Sequence, residues 1–466
     1  MPTTPTTKWF ALAVLCMGTL MIVLDTTIVN VALPSIRASL GFSPVSLAWV
    51  VNAYVLTFGG FLMLGGRLGD LYGPRRLFLI GLGIFTLASL ACGLAQTQWF
   101  LIAARAVQGI GGAIVSAVSL SIVMNLFTEA KERARAMGYF GFVAAGGGSV
   151  GVLLGGVLTG SINWHAIFLV NIPIGIAVFL LSLWIVPRGH VRQSGHLDVW
   201  GAVTITTSLI LAVYAIVNGN DAGWGSAQTV VLLVLAFLFL TIFLFVESKT
   251  KAPLIPLELF KLRNLTVANM IGVLWAAAMF AWFFISALYL QLVLEYNPLQ
   301  VGLAFLPANL FMAVLSFSIS ARLVNRFGIK RPLAFGLASA ALGLLWFVRL
   351  PVAGHFVPDV LPSMLLLGLG AGIAFNPVLL AAMSDVKPNE SGIASGIVNT
   401  SFMMGGALGL AILASIAASR TAEALVGGAS QAAALTAGYT AAFFAGALCA
   451  GLGALLSATL LKTKSA

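Results

Sequence analysis

Charged residues are scarce in this chain of 466 residues. Asp, Glu, Lys and Arg together make up 8% of it, whereas 60% of its residues are hydrophobic. A soluble domain carries about 25% charged residues, because its surface has to be hydrated. The composition therefore excludes a soluble globular protein and indicates a chain that lies in a membrane along most of its length.

Cysteine and histidine are also few. The three cysteines, Cys16, Cys92 and Cys449, fall inside apolar segments, so each is interpreted as a packing residue rather than as half of a disulfide. The four histidines are dispersed, so no metal site is expected. No Gly-Lys dipeptide occurs, so a phosphate-binding loop is not expected. The sequence predicts no cofactor and no intrinsic ATP coupling.

Long apolar stretches recur along the entire chain. About 20 residues are enough to cross a hydrocarbon layer of ~30 Å as a helix. Continuous apolarity favours helices over the alternating strands of a membrane barrel. We predict an all-α integral membrane protein with 14 transmembrane helices, at 9–33, 46–66, 77–95, 99–127, 135–160, 166–186, 199–218, 228–246, 265–294, 299–321, 332–350, 357–380, 391–417 and 436–461.

The net charge of +11 follows the predicted membrane topology. With the N-terminus in the cytoplasm, the segments predicted to lie inside hold 20 of the 24 Lys and Arg residues. This is the positive-inside asymmetry of membrane proteins, and it predicts that both termini are cytoplasmic. Nucleic-acid binding is not needed to explain the charge.

Two similar segments occur at predicted cytoplasmic turns. "GRLGDLYGPRR" at 66–76 follows the second span, and "ARLVNRFGIKR" at 321–331 follows the tenth. If spans 7 and 8 are an insertion, each copy ends the second helix of a six-helix half. Duplicated halves are the common plan of secondary transporters. The sequence therefore predicts two pseudo-symmetric six-helix bundles, 1–190 and 264–466, with a two-helix insert and its linkers at 191–263.

Several stretches together resemble a known family, the drug:proton antiporter family 2 of the major facilitator superfamily. They include "LDTTIVNVALP" in span 1, "GRLGDLYGPRR" after span 2, "RAVQGIGGA" in span 4 and "FLVNIPIG" in span 6. Their order and spacing are specific, and the resemblance covers essentially the whole chain. It implies the major facilitator fold, a bacterial source and export of drugs in exchange for protons. We expect the protein to be a monomer in the inner (plasma) membrane.

One motif departs from the family pattern. The antiporter motif of span 5 reads Gly-x-x-x-Gly-Pro-x-x-Gly-Gly in that family, whereas "GGSVGVLLGG" here has Val152 at the proline position. Gly147, Gly151 and Gly155 still predict close helix packing, but no proline kink is expected. Antiport, as opposed to uniport or symport, stays open at this point.

Asp25 is the only one of the 13 acidic residues predicted to lie deep within a span. A charge at mid-membrane costs several kcal/mol unless it is paired or neutralised, so we predict that Asp25 carries the coupled proton. Arg105 is the predicted partner, because the two residues lie about 12 and 9 Å below the outer surface at 1.5 Å per residue. A carboxylate that only joins neighbouring helices, and a purely structural role for Arg105, are the alternatives.

The loop segment at 66–76 is predicted to act in gating. Its glycines permit a tight turn, its aspartate can accept from an arginine, and its arginines can reach lipid headgroups. The resemblance implies that the motif clamps one half against the other. The alternative is a basic loop that only orients the chain. The predicted gating residues are Gly66, Arg67, Asp70, Gly73, Arg75 and Arg76.

Aromatic and amide side chains within the spans are candidates for substrate contacts. Trp275, Met279, Trp282 and Phe283 share one helical face of span 9, and aromatic and Met side chains make a broad apolar surface. Lipid contact or helix packing is the alternative for these residues, as is interhelical hydrogen bonding for the amides. The predicted cavity residues are Asn30, Tyr54, Trp275, Trp282, Asn376 and Asn399.

The sequence thus predicts a proton-coupled exporter of small hydrophobic drugs, with substrate, protons and the bilayer as its partners. A dedicated exporter of one metabolite or of a self-made antibiotic is the first alternative. A channel is disfavoured, because a gated pore does not need duplicated halves. A membrane-embedded enzyme is disfavoured because a lone aspartate lies at membrane depth, so we expect no enzymatic activity.

Overall fold

A computed structural model describes residues 5–43, 45–127, 129–187, 198–250, 253–386 and 391–462. The described part is built from helices and contains no strand. Its α-helices are α1 (Pro5–Leu40), α2 (Trp49–Tyr72), α3 (Pro74–Gly93), α4 (Gln98–Leu126), α5 (Ala130–Ser161), α6 (Ala166–Leu169), α7 (Asn171–Ile185), α8 (Val199–Ala222), α9 (Ala227–Lys249), α10 (Arg263–Leu292), α11 (Pro298–Val314), α12 (Ser320–Phe327), α13 (Lys330–Phe347), α14 (Leu361–Met383), α15 (Ser391–Val426) and α16 (Gln431–Leu460).

Every predicted span coincides with helical structure. Eleven helices in the described ranges are long and apolar enough to cross a membrane. α11 is shorter, and it continues through a π-helical turn at Leu315–Ile319 into α12. The prediction of an all-helical membrane protein is confirmed, whereas the number of 14 spans stays a prediction.

Several helices begin at residues that satisfy their free backbone donors. The Asn297 side chain accepts from the Gln300 N–H while the Gln300 side chain accepts from the Asn297 N–H, which forms a capping box at α11. Thr97 caps α4 in the same sense, by accepting from the Phe100 N–H at 3.3 Å. These caps set the start of helices whose apolar faces are then buried by packing.

The two copies of the repeated segment form the same turn. α2 ends at Tyr72 before Gly73, which has φ 94°, and α12 ends at Phe327 before Gly328, which has φ 74°. A side chain rarely adopts this left-handed region, so glycine is required at the equivalent position of both copies. The sequence repeat is therefore a structural repeat.

Two groups of helices pack against each other along two seams. In the first group α5 packs on α1, and α4 packs on α2 and α3; in the second, α10 packs on α15 and α16. The seams between the groups are α5 along α11 and α2 along α15. Small residues permit the approach: a Cβ at Gly156 would lie 2.6 Å from the Pro298 carbonyl oxygen, and one at Gly59 would lie 3.0 Å from Met403 Cβ.

Helices α8 and α9 pack mainly on each other, and α8 also contacts α2 and α15. The Asn220 amide on α8 donates to the carbonyl oxygen and to Oγ of Ser415 on α15, both at 2.9 Å. Much of α9 is exposed apolar surface, including Phe237 and Phe245, as expected for a helix that faces lipid. The pair thus sits beside the α2–α15 seam.

Candidate functional site

Asp25 on α1 and Arg105 on α4 form a buried ion pair. Arg105 Nη1 lies 2.5 Å from Asp25 Oδ2, and the exposed fractions of the two side chains are 1% and 0%. The equal depth that their positions predict is what allows this contact. A fully buried charge pair of this kind requires further hydrogen bonds to offset the loss of hydration.

Two amide side chains supply those hydrogen bonds. Gln108 Nε2 and Asn171 Nδ2 both donate to Asp25 Oδ1, at 2.8 and 3.0 Å, and both residues are buried. Gln108 follows Arg105 by one helical turn of α4, and Asn171 is the first residue of α7. The carboxylate of Asp25 therefore accepts three hydrogen bonds.

A serine extends the network to a fourth helix. Ser89 on α3 accepts from Gln108 Nε2 at 3.1 Å and from Asn171 Nδ2 at 3.0 Å, and it donates to the Phe168 carbonyl oxygen at 3.0 Å. The polar cluster thus joins α1, α3, α4 and α7. Within an apolar bundle such a network is rigid, because each broken bond leaves a buried polar atom unsatisfied.

The remaining surface of the arginine is also occupied. Arg105 Nε donates to the Val50 carbonyl oxygen at 3.0 Å, and Nη1 donates to Gln108 Oε1 at 2.7 Å. The guanidinium lies 4.4 Å from the centre of the Tyr54 ring, where the negative face of the ring attracts a cation. Arg105 therefore keeps several partners even when its contact with Asp25 is broken.

Glycines of the "RAVQGIGGA" segment bring α4 close to its neighbours. A Cβ at Gly109 would lie 2.4 Å from the Tyr54 carbonyl oxygen on α2, and one at Gly111 would lie 2.6 Å from the Phe85 backbone nitrogen on α3. Thr57 Oγ1 donates across the same contact to the Ala106 carbonyl oxygen at 2.7 Å. Close backbone approach thus places Arg105 among α1, α2 and α3.

The glycines of α5 pack against the helix that carries Asp25. A Cβ at Gly151 would meet Thr27 Oγ1 at 2.1 Å, one at Gly155 would meet the Ile28 carbonyl oxygen at 2.7 Å, and Gly147 lies against Leu20 and Val23. Val152 is buried, and α5 runs through it as an α-helix. The departure from the family motif therefore coincides with an uninterrupted helix.

The loop motif contacts another helix of the first group. Arg75 donates to the Leu183 carbonyl oxygen on α7, and Arg76 is exposed. Gly66 and Arg67 are partly buried near the end of α2, and the side chain of Asp70 lies outside the described part. The gating role of this motif stays a prediction.

The predicted cavity residues have different surroundings. Trp275 and Trp282 are buried, and Trp282 packs with Phe283 onto Phe305 of α11. Asn30 and Asn399 bond carbonyl oxygens of their own helices, Asn376 donates to the Ser316 carbonyl oxygen, and Tyr54 lies beneath Arg105. The contacts of Trp282 are those of helix packing, whereas Asn399 is exposed.

Replacing Asn171 with leucine is expected to destabilise the network, because it removes the amide group while keeping a branched side chain with the same number of heavy atoms. The change removes a donor to the buried Asp25 carboxylate and one to Ser89, which predicts a loss of about 1–3 kcal/mol in the free energy of unfolding. Thermal melting of the purified protein measures the effect. Asn399→Leu is the matched control, because the Asn399 amide is exposed and bonds its own helix; equal melting curves for the two variants would contradict the prediction.

Comparison with known proteins gives a consistent result. The model of the Major Facilitator Superfamily matches residues 15–410. The cephamycin export protein CmcT of Amycolatopsis lactamdurans is 40% identical over 415 residues, 88% of this chain and 85% of that protein. The puromycin resistance protein pur8 of Streptomyces alboniger is 38% identical over 420 residues, 89% and 83% of the two chains.

A solved structure supports the same fold. The structure of the POT family transporter PepTSo superimposes with a TM-score of 0.69 at 15% identity, and the match covers 98% of each chain. At this identity the likeness concerns the fold alone. The two antibiotic-related relatives carry the information about function.

Proposed function

The chain belongs to the Major Facilitator Superfamily, and we propose on this premise that it is a secondary active exporter that expels small hydrophobic compounds in exchange for protons. The observation that carries the proposal is the buried Asp25–Arg105 pair with its amide donors. A titratable carboxyl group at membrane depth is the property that proton coupling needs. The names of the relatives, a cephamycin export protein and a puromycin resistance protein, support antibiotic efflux, and the proposed location is the plasma membrane.

The proposed topology has 14 spans with both termini in the cytoplasm. The two bundles are 1–190 and 264–466, and the insert with its linkers is 191–263. The repeated turn at Gly73 and Gly328 supports the duplication, and the mutual packing of α8 and α9 supports an inserted helical pair. The protein is proposed to act as a monomer.

Proton binding at Asp25 would change the electrostatics of the first bundle. The ionised carboxylate pairs with Arg105, whereas the protonated group releases it to its remaining acceptors, Gln108 Oε1 and the Val50 carbonyl oxygen. The two states are therefore distinct and can be coupled to opening. One charge that moves through 100 mV is worth ~2.3 kcal/mol, or about a 50-fold concentration ratio, so one proton per cycle suffices for useful efflux.

Contacts between the bundles support alternating access. With both termini inside, Gln291 and Val31 lie toward the outer side, where Gln291 Nε2 donates to the Val31 carbonyl oxygen at 2.9 Å. α10 is buried along most of both its inner and its outer half. The seam contacts of Gly156 and Pro298 lie on the same side as Gln291, and they would part when the outer side opens.

A transport assay in everted membrane vesicles tests the function. Vesicles are loaded with a proton-gradient dye, and lipophilic cations and neutral antibiotics are added as a panel. Antiport predicts that a transported compound dissipates the gradient, whereas vesicles without the protein do not respond. Transport that leaves the gradient intact would contradict proton exchange.

The number of compound classes that dissipate the gradient distinguishes a multidrug exporter from a dedicated one. Several unrelated active compounds indicate a multidrug pump, whereas a single active compound class indicates a dedicated exporter of one metabolite or self-made antibiotic. The second possibility is kept because one relative is named for cephamycin export alone.

A further inference from the structure

A second pair of buried acidic side chains lies where α8 begins and α9 ends. Asp198 precedes α8, Glu247 is in the last turn of α9, and their exposed fractions are 5% and 3%. Asp198 Oδ1 accepts from the Gly201 N–H at 2.7 Å, and Glu247 Oε2 accepts from the Ile255 N–H at 3.2 Å. One oxygen of each carboxyl group is thereby satisfied.

The other oxygen of each group has no donor. Asp198 Oδ2 and Glu247 Oε1 are buried and lack a hydrogen-bond partner within the described ranges. Both face one point beside Gly201, where a Cβ would lie 2.7 Å from the first and 2.9 Å from the second. The two unpaired oxygens therefore lie close to each other. A single proton between them would give each oxygen a hydrogen-bonding partner.

Within the described part of the chain, neither carboxyl group forms an ion pair with a cation. The charged groups on the described surrounding elements are Arg67 on α2 and Lys249 on α9, and Lys261 in the following segment pairs with Glu258 at 4.0 Å. Two ionised carboxylates would therefore be two buried charges without a described counter-ion, which is strongly unfavourable.

We propose that Asp198 and Glu247 bind one proton between them, and that this proton-binding site stabilises the packing of the insert against the first bundle. Closely spaced buried carboxyl groups share a proton, because two like charges near each other in a buried site cannot both ionise. The site is independent of Asp25, since it lies on α8 and α9 and shares none of the contacts of Asp25.

The shared proton stabilises the contacts among α2, α8 and the segment at 253–256. Glu247 binds the backbone at Ile255, and Leu254 packs on Leu64 of α2 and Ala202 of α8 in a small apolar cluster. α2 carries the first seven residues of the loop motif, 66–72. Loss of the proton would separate the carboxylates and loosen the segment at 253–256 from α2.

The sign of the pH dependence follows from the proton count. Separated carboxyl groups of an unfolded chain release their protons at about pH 4, whereas the folded pair retains one. The stabilisation is therefore present at low pH and is lost as the pH rises through the value at which the folded pair releases its proton.

Infrared spectroscopy of the protein in lipid nanodiscs tests the shared proton. Near neutral pH the wild type is expected to show the band of a protonated carboxyl group, which Glu247→Gln and Asp198→Asn each remove. Both variants are conservative, because asparagine caps a helix as well as aspartate does and glutamine still accepts from the Ile255 N–H. The band is expected to persist in Asp25→Asn and in the exposed control Glu258→Gln.

Hydrogen exchange at the Ile255 amide tests whether the shared proton stabilises the packing of the insert. Between roughly pH 6 and pH 9, the exchange rate of the Ile255 amide in the wild type is expected to rise by about tenfold more than the intrinsic exchange rate of an unprotected amide does. A tenfold excess corresponds to a loss of about 1.4 kcal/mol in local stability. The two amide variants are expected to lack this excess. A carboxyl band that survives in both variants, or wild-type exchange that follows intrinsic chemistry alone, overturns the proposal whatever the outcome for transport.

Discussion

Asp25→Asn is expected to abolish substrate-driven dissipation of a proton gradient in everted vesicles, a loss of at least about 100-fold in coupled transport. The asparagine keeps the size of the side chain and an acceptor for Gln108 or Asn171, but it cannot bind and release a proton. Removing the charge of one partner lowers stability, but Arg105 retains the Val50 carbonyl oxygen and Gln108 Oε1 as acceptors. The protein is therefore still expected to reach the membrane in folded form.

Two controls separate loss of coupling from loss of folding. Elution of the variant as a single species in size-exclusion chromatography reports the fold, and binding of a transported compound in the absence of a gradient reports the substrate site. Glu258→Gln removes an exposed carboxylate and is expected to behave as wild type. Gradient dissipation by Asp25→Asn at the wild-type rate would show that Asp25 is a packing residue or a substrate contact rather than the proton carrier.

Arg105→Leu is expected to be among the most destabilising single substitutions in the chain. It leaves the Asp25 carboxylate buried without a cation, and breaking a fully buried pair by removing one partner costs about 3–5 kcal/mol. The double variant Asp25→Leu with Arg105→Leu removes both charges, so we expect it to recover most of the lost stability while remaining unable to couple transport to protons. Thermal melting of the two purified variants measures both effects.

The matched control is a second arginine pair that is exposed. Arg420 and Glu423 lie 2.6 Å apart, with side chains 63% and 58% exposed. Water and salt screen such a pair, so Arg420→Leu is expected to cost no more than about 1 kcal/mol. If Arg105→Leu melts like Arg420→Leu, or if the double variant is less stable than Arg105→Leu alone, the buried pair does not carry the electrostatic energy assigned to it.

The sequence identifies several residues of the candidate site, but it does not show that their side chains form one hydrogen-bonded network. The aspartate in an apolar run identifies Asp25, and helical rise places Arg105 near the same depth. Gln108 and Asn171 stand within the motifs "RAVQGIGGA" and "FLVNIPIG", and Gln108 shares a helix face with Arg105. Nothing local reveals that Asn171, 146 positions away from Asp25, donates to the same carboxylate.

The carboxyl pair of the insert, Asp198 and Glu247, is not visible in the sequence. Asp198 reads as a helix cap before α8, and Glu247 falls just beyond the predicted span at 228–246. Each residue alone has an ordinary interpretation as a polar group at a helix end. Only the antiparallel packing of α8 on α9 brings the start of one helix to the end of the other, with Gly201 leaving space between the two side chains.

The sequence by itself determined that the chain is helical and lies in a membrane, and where its repeated turns fall. It also identified Asp25 as a carboxylate within an apolar span. These properties depend on local composition and spacing, because apolar length sets a span and a glycine with positive φ sets a turn. Only the tertiary structure decided which polar groups meet Asp25, which side chains surround each predicted cavity residue, and that two acids distant in the chain face one point beside Gly201. Those contacts join residues far apart in the chain, and their geometry depends on how closely the helices approach one another.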